Sequence, residues 1–154
     1  MLIHTTLFAD VHDRFHPLIA GVRDSLLKNL KAKKKAPLTF LEKLWNKEME
    51  RVPSKEVGQA PVPFKKLLPH LEKVISETRI VIENSRSLER LTFSETDPVQ
   101  IVIGGNTLSR GLTIEGLVVS YFVRASTAYD TLLQMGRWFG YRPNYEDLPR
   151  IWMT

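Results

Sequence analysis

Hydrophobic residues recur along this chain with two different spacings, and each spacing predicts one kind of element. Near the start they recur every three or four positions, as on an amphipathic helix, at Phe8, Val11, Phe15, Leu18, Val22, Leu26 and Leu30. Pro17 lies inside this pattern, so we expect the helix to kink or split near His16. Short continuous apolar runs, which are typical of buried strands, are found at 1–6, 79–83, 99–103, 118–123 and 150–153.

Two further helices are predicted between the first helix and the strand at 79–83. Thr39-Phe40-Leu41-Glu42 has the form of a capping box and predicts a helix that ends before Pro53. Residues 53–63 hold three prolines and a glycine, which predict a loop. The segment 64–68 predicts one helical turn, and a further helix is expected to begin near Pro69, because proline is tolerated in a first turn.

Short strands separated by helices or long crossovers predict an α/β fold with a parallel sheet covered on both faces. A length of 154 residues suits one domain. We therefore expect a single domain over 1–154, with a helical insertion at about 36–77 between the first helix and the second strand.

Composition adds an expected partner and compartment. The net charge of +5 favours an anionic partner, nucleic acid before membrane. Five lysines lie close together, a pattern more often found in a solvated helix end or loop than in a nucleic-acid contact: Lys28, Lys31, Lys33, Lys34 and Lys35. The lack of cysteine excludes disulfides and thiolate metal sites and fits a cytoplasmic protein. No apolar run approaches the roughly 18 residues of a membrane span, and no signal peptide is apparent.

The loop after the strand at 99–103 has the composition of a binding loop. It reads Gly104-Gly105-Asn106-Thr107-Leu108-Ser109-Arg110-Gly111. Ligands of parallel α/β proteins bind at the carboxyl ends of the strands, and glycine lets the backbone turn sharply or approach a partner closely. A tight structural turn explains the two glycines equally well. Arg110 indicates an anionic partner, either a ligand or an internal carboxylate.

Residues 128–142 predict a helix, capped by Ser126 or Thr127, with one apolar and one polar side. The polar positions are Gln134, Arg137 and Arg142. The guanidinium group of arginine can stabilise charge that develops on a transferred phosphoryl group. For an arginine considered alone, an ion pair within the protein is the commoner role. Because Arg137 and Arg142 follow the Arg110 loop, a functional role is favoured for them.

These two segments resemble motifs V and VI of the second RecA-like domain of superfamily 2 helicases and translocases. They are more similar still to the Z-one domain, a bacterial family labelled as a candidate endonuclease and found near restriction and phage-defence genes. The resemblance is carried by Gly-Gly-Asn-Thr-Leu-Ser-Arg-Gly-Leu-Thr at 104–113 and Gln-Met-Gly-Arg-Trp-Phe-Gly-Tyr-Arg at 134–142. Two positions depart from the helicase pattern: Thr113 replaces a common aspartate, and Gly140 replaces a second arginine.

The resemblance implies a RecA-like α/β fold that supplies the arginine side of an ATP site in a helicase-like ATPase. Arg137 and Arg142 would be catalytic, with Arg137 the closer match to the arginine finger. The residues expected near the nucleotide are Gln134, Arg110, Gly111 and Gly136. Those expected at the nucleic-acid backbone, from their positions after strands, are Thr5, Thr6, Asn84 and Thr107. ATP and Mg would be held by an N-terminal RecA-like lobe of the same parent protein, and the nucleic acid would be DNA more than RNA.

Several motifs are missing from the sequence. No glycine is followed by lysine and no aspartate by glutamate, so the chain has neither a P-loop nor an Asp-Glu pair. We therefore expect one lobe of a longer motor, inactive as an ATPase alone. No acidic residue lies two positions before a lysine, as a metal-dependent restriction nuclease core needs. Two alternatives stay open: a nucleic-acid-binding or docking module without a motor role, and part of an endonuclease.

One rival site is the histidine pair on the first helix. His12 and His16 have the spacing of zinc-protease ligands, with Asp13 in place of the glutamate. There is no obvious third ligand, and Pro17 follows directly. We therefore expect two partly exposed histidines and no metal site.

Overall fold

The apolar runs form one parallel sheet. The computed structural model describes residues 1–6, 8–87, 91, 98–105, 116–123 and 148–153. Within these residues the strands are Leu2–His4 (β1), Arg79–Glu83 (β2), Gln100–Gly104 (β3), Val119–Phe122 (β4) and Arg150–Met153 (β5). Their order is β2-β3-β1-β4-β5, and every neighbouring pair is parallel. The predicted α/β fold is confirmed, and the sheet is consistent with a RecA-like arrangement.

β1 lies in the middle of this sheet, between β3 and β4. Leu2 is in register with Val102 on one side and with Ser120 on the other. All of β1 is buried, as expected for an inner strand with both faces covered. The buried apolar side chains of the core are Leu2, Ile3, Leu30, Val81, Val102, Ile103, Leu117 and Phe122. This position of β1 sets its carboxyl end directly beside that of β3.

The described chain divides into two compact units, one of Met1–Ile19 and Thr78–Thr154 and one of Ala20–Glu77, called here the helical unit. The sheet and the start of the first helix belong to the former unit. The helical unit holds the remainder of α1 (Ala9–Lys31), then α2 (Lys35–Arg51), a 3-10 turn (Ser54–Val57) and α3 (Phe64–Glu77). It begins before position 36, where the predicted insertion starts. The single-domain interpretation stays a prediction.

Helix α1 continues through Pro17, so of the two expected outcomes, a kink or a split, the split is excluded. Proline lacks the N–H group that would bond to the carbonyl oxygen of Asp13 one turn earlier. Asp13 and Pro17 both lie on the exposed side of the helix, where water can satisfy that carbonyl oxygen. The helix therefore tolerates the proline. None of the helices in the described part of the chain is long and apolar enough to cross a membrane.

The buried side of α1 agrees with the predicted one only in part, at Phe15, Leu26 and Leu30. Phe8, Leu18 and Val22 are exposed. The less exposed positions recur at three- and four-residue steps along a neighbouring stripe, namely His12, Phe15, Ile19, Arg23, Leu26 and Leu30. His12 is therefore buried on this helix, where the hydrophobic pattern predicted that its neighbour Val11 would be.

Helix α2 begins at Lys35, so the capping box predicted at Thr39 is wrong. Lys34 is the N-cap residue, and its side chain makes no capping hydrogen bond. The less exposed side of the helix already includes Leu38, so its apolar stripe begins before Thr39. The helix ends at Arg51, as predicted.

Helix α3 is one helix from Phe64, and the predicted break before Pro69 is absent from it. Its less exposed positions form one stripe that passes Pro69 on both sides, made of Phe64, Leu67, Leu71 and Ile75. Packing of such a stripe supplies most of a helix's stability in proteins, and here it outweighs the lost backbone hydrogen bond.

Candidate functional site

The carboxyl ends of three neighbouring strands bring polar residues together at one edge of the sheet. Thr5 follows β1, Asn84 follows β2 and Gly105 follows β3. The backbone N–H of Thr5 donates to the carbonyl oxygen of Gly104 at 2.9 Å, which fixes the ends of β1 and β3 beside each other. This is the edge at which parallel α/β proteins bind their ligands.

His12 of helix α1 reaches this edge from the buried side of the helix. Its side chain is 1% exposed. The Nε2 atom lies 2.9 Å from the carbonyl oxygen of Thr6, and Nδ1 lies 3.4 Å from Nδ2 of Asn84. Because a carbonyl oxygen only accepts, Nε2 carries the hydrogen and Nδ1 accepts from the amide of Asn84. His12 thus joins the segment after β1 to the segment after β2.

The side chain of Asn84 is held in the orientation that this bond requires. Its Oδ1 accepts the backbone N–H of Arg86 at 2.8 Å, so its Nδ2 faces His12. The backbone N–H of Asn84 donates to Oγ of Ser87 at 2.9 Å, and that hydroxyl donates to the carbonyl oxygen of Ile82 at 2.7 Å. Asn84 is buried and belongs to a hydrogen-bonded turn at the end of β2.

Gly105 has no room for a side chain. A Cβ atom there would overlap the carbonyl oxygen of Thr6 and lie 3.4 Å from Nε2 of His12. Of the two roles considered for this glycine, the close approach of two backbones is the one observed. The glycine places the start of the Arg110 loop directly against the Thr6–His12 hydrogen bond.

Three ionisable side chains lie at the same edge. Glu83, the last residue of β2, is buried, and its Oε2 accepts the backbone N–H of Leu91 at 3.1 Å. Arg86 and Asp10 form an exposed ion pair of 3.2 Å between the end of β2 and the start of α1. Exposed pairs of this kind contribute little to stability, so the buried hydrogen bonds are the main ties between these segments.

His4 at the end of β1 is a second buried histidine. Its ring stacks on Phe122 of β4, with centroids 4.1 Å apart and planes 2° apart. Burial lowers the pKa of His4 to about 4, so the ring is neutral at physiological pH. In the described part of the chain, the buried hydroxyl groups of Thr5 and Ser120 have no hydrogen-bond partner.

The predicted site residues divide into two groups. Thr5, Thr6 and Asn84 lie together at the edge described above; Thr5 and Asn84 are buried and Thr6 is half-buried. The others lie outside the described residues: Thr107, Arg110, Gly111, Gln134, Gly136, Arg137 and Arg142. The functional role of each group stays a prediction. The predicted helix at 128–142 also lies outside the described residues.

The histidine pair is corrected by the structure. His12 is buried with both ring nitrogens engaged, and not partly exposed as expected, whereas His16 is half-buried. Among the residues that the structure describes, no group of three or more His, Cys, Asp or Glu side chains could hold a metal ion. The sequence signal that was available for His12 is the run of three- and four-residue steps through Phe15 and Ile19.

The chain is thus an α/β protein whose polar edge lies at the carboxyl ends of a parallel sheet. The family model of the Z1 domain (written Z-one above) matches residues 1–154, and the chain belongs to this family. No curated protein and no solved structure matched it.

Proposed function

We propose that this chain is the second RecA-like lobe of a helicase-like, nucleic-acid-dependent ATPase in a bacterial restriction or phage-defence protein. The observation that carries the proposal is the contact of Gly105 with Thr6 and His12. This contact supports the proposal because it fixes the first residues of the loop after β3 at the edge where parallel α/β proteins bind their ligands. Arg110 follows in that same loop.

In this proposal the ATP and Mg are held by a first lobe of the parent protein. Arg137 reaches the γ-phosphate as an arginine finger, with Arg142 as a second contact. The residues that link the nucleotide to lobe closure are Arg110, Gly111, Gln134 and Gly136. Such arginines stabilise the charge of the transition state and need no part in binding ATP itself.

Nucleic acid passes the ends of β1 to β3 in the same proposal. The half-buried Thr6 can be reached from outside, whereas the buried Thr5 and Asn84 would support the surface beneath it. The Thr5 hydroxyl, without a hydrogen-bond partner in the described residues, supports a contact at this edge. Thr107 is assigned to the same contact from its place in the loop.

The test is ATP turnover by the full-length parent protein carrying Arg137→Ala, with DNA present. Loss of an arginine finger should lower kcat by about 10³-fold or more, while the affinity for ATP changes little. Arg14→Ala is the matched control, since Arg14 is exposed and is not part of the predicted motifs. It should leave turnover within about twofold.

Unchanged turnover in Arg137→Ala would show that the arginine-finger assignment is wrong. A parent protein that hydrolyses no ATP would favour the alternative of a binding or docking module. Metal-dependent cutting of labelled DNA by the 154-residue chain alone would favour the endonuclease alternative.

A further inference from the structure

Net positive charge is confined to one of the two units. All eleven lysines of the chain lie between positions 28 and 73, inside the helical unit Ala20–Glu77. That unit has thirteen lysines and arginines and seven carboxylates, a net charge of +6; the other unit has nine and ten, a net charge of −1. Every one of the lysines is exposed. The basic character of the protein is therefore a property of the helical unit.

The lysines are not neutralised by neighbouring acids. Two ion pairs between described residues of the helical unit are Arg23–Asp24 at 2.8 Å and Arg51–Glu48 at 3.5 Å, and both use arginine. In the described part of the chain, which includes every lysine, no lysine ammonium group lies in an ion pair. Uncompensated charge of one sign opposes the compact state through self-repulsion. Stability of the helical unit therefore does not explain the lysines.

Three lysines at the start of α2 occupy positions that are unfavourable for the fold. Lys34 is the N-cap and Lys35 the first helical residue, with no acidic residue in the first turn. The positive end of the helix dipole lies there, so cations destabilise it. Lys33 has φ of 49°, a left-handed conformation uncommon for residues with a long side chain. An anionic partner would offset these unfavourable placements.

Further along α2, its outer side carries two more lysines and an aromatic ring. Phe40 is 61% exposed, and the exposed Lys43 and Lys47 follow it three and seven positions later, on the same side of the helix. Trp45 lies on the opposite side, where its indole N–H donates to the carbonyl oxygen of Val62 at 2.8 Å. An exposed ring among unpaired cations therefore faces away from the side of α2 that is held within the unit.

We propose that Lys33, Lys34, Lys35, Phe40, Lys43 and Lys47, called here the α2 patch, bind a single strand of nucleic acid. The ammonium groups contact phosphates and Phe40 stacks against a base, the combination by which proteins hold single strands without reading their sequence. Lys35 and Lys47 are about 18 Å apart along the helix axis, enough for several nucleotides. This binding needs neither ATP nor the arginines of the proposed function, and goes beyond them.

The experiment measures binding of the 154-residue chain to a fluorescein-labelled dT strand of about twenty nucleotides, across a series of salt concentrations. The patch variant Lys34→Gln/Lys43→Gln/Lys47→Gln should reduce the slope of log K against log salt by about two, since each lost phosphate contact changes it by about 0.7. The matched control is Lys55→Gln/Lys65→Gln/Lys73→Gln, with the same change of charge elsewhere in the helical unit. Its slope should stay that of the unchanged protein.

Phe40 is tested with two substitutions that separate stacking from charge. Phe40→Ala should weaken binding by at least about fivefold at every salt concentration, with the slope unchanged. Phe40→Trp should bind as tightly as the unchanged protein. Because Phe40 is mostly exposed, the circular-dichroism melting curves of all three proteins should coincide.

Four results would overturn the proposal: no binding at low salt, equal slope changes in the two triple variants, no effect of Phe40→Ala, or a preference for vesicles of phosphatidylcholine and phosphatidylserine over the dT strand. The last would mark the patch as a membrane surface. Arg137→Ala should bind the dT strand as tightly as the unchanged chain does. Failure of the ATPase proposal would therefore leave the strand-binding proposal intact, and failure of strand binding would leave the ATPase proposal intact.

Discussion

Position 105 decides whether the end of β3 can meet the segment after β1. We expect Gly105→Ala to lower the free energy of unfolding by about 1–3 kcal/mol or more, because its Cβ would overlap the carbonyl oxygen of Thr6 and crowd His12. Gly21→Ala is the control, since nothing lies within 4 Å of a Cβ at that position in α1. It should stabilise the protein by roughly 0.5–1 kcal/mol. Urea unfolding measures both, and equal effects would contradict the overlap.

His4 should make stability depend on pH below neutrality. Burial lowers its pKa to about 4 from 6.5, so the unfolded chain takes up a proton at a pH where the folded ring stays neutral. Stability is therefore complete above about pH 6.5 and falls as the pH drops towards 4, by up to about 3 kcal/mol.

The comparison protein for this prediction is His4→Phe. It keeps an aromatic ring against Phe122 and removes the titrating group, while the other acidic groups stay the same. Urea midpoints of the two proteins at several values between pH 7 and 4 should diverge as the pH falls. Parallel midpoints would show that His4 does not contribute.

At the scale of the element, replacing a proline tests how much stability each helix loses when a backbone N–H group is missing. Pro17 lies in the interior of α1 and Pro37 in the first turn of α2. Pro17→Ala restores an N–H donor for the carbonyl oxygen of Asp13 and should raise the free energy of unfolding by about 1–3 kcal/mol. Pro37→Ala should change it by less than about 0.5 kcal/mol, because first-turn N–H groups have no partner within the helix. A larger gain from Pro37→Ala would contradict this account.

The strand positions were predicted closely because a buried parallel strand is a short continuous run of apolar residues in the sequence. The boundaries of β2 and β5 agree with the apolar runs, and β1, β3 and β4 differ by only one or two residues at their ends. Helix starts were harder to predict, since the stripe beginning at Leu38 outweighs the capping signal at Thr39. Such signals contribute about 1 kcal/mol, less than the burial of one large apolar side chain.

Part of the candidate site was also accessible from sequence. Residues that follow parallel strands must share one edge, which predicted that Thr5, Thr6, Asn84 and Thr107 lie together; the first three do, and Thr107 lies outside the described residues. The role of His12 was missed because hydrophobic periodicity assigns a polar residue to the exposed side. Its burial depends on the carbonyl oxygen of Thr6 and the amide of Asn84, partners that only the folded chain brings near.

At the scale of the whole molecule, the positive net charge and the polar edge of the sheet belong to different units. The unit made of Met1–Ile19 and Thr78–Thr154 has a net charge of −1 and contains every residue of the proposed ATP site, whereas the helical unit holds the lysines. Sequence alone showed the net charge of +5 but not this division, because the boundary at Ala20 falls within α1. Added salt should therefore weaken the strand binding proposed for the α2 patch far more than it changes folding of the sheet.

The central place of β1 has a consequence for how the protein is made. Within this chain the ribosome delivers Leu2–His4 long before their partners at Val102 in β3 and Ser120 in β4, which follow the helical unit. Helices with local contacts form quickly, and strands with distant partners wait. The middle of the sheet therefore closes only after the helical unit has been made, and until then β1, with its two open edges, is exposed to chaperones and to misassembly.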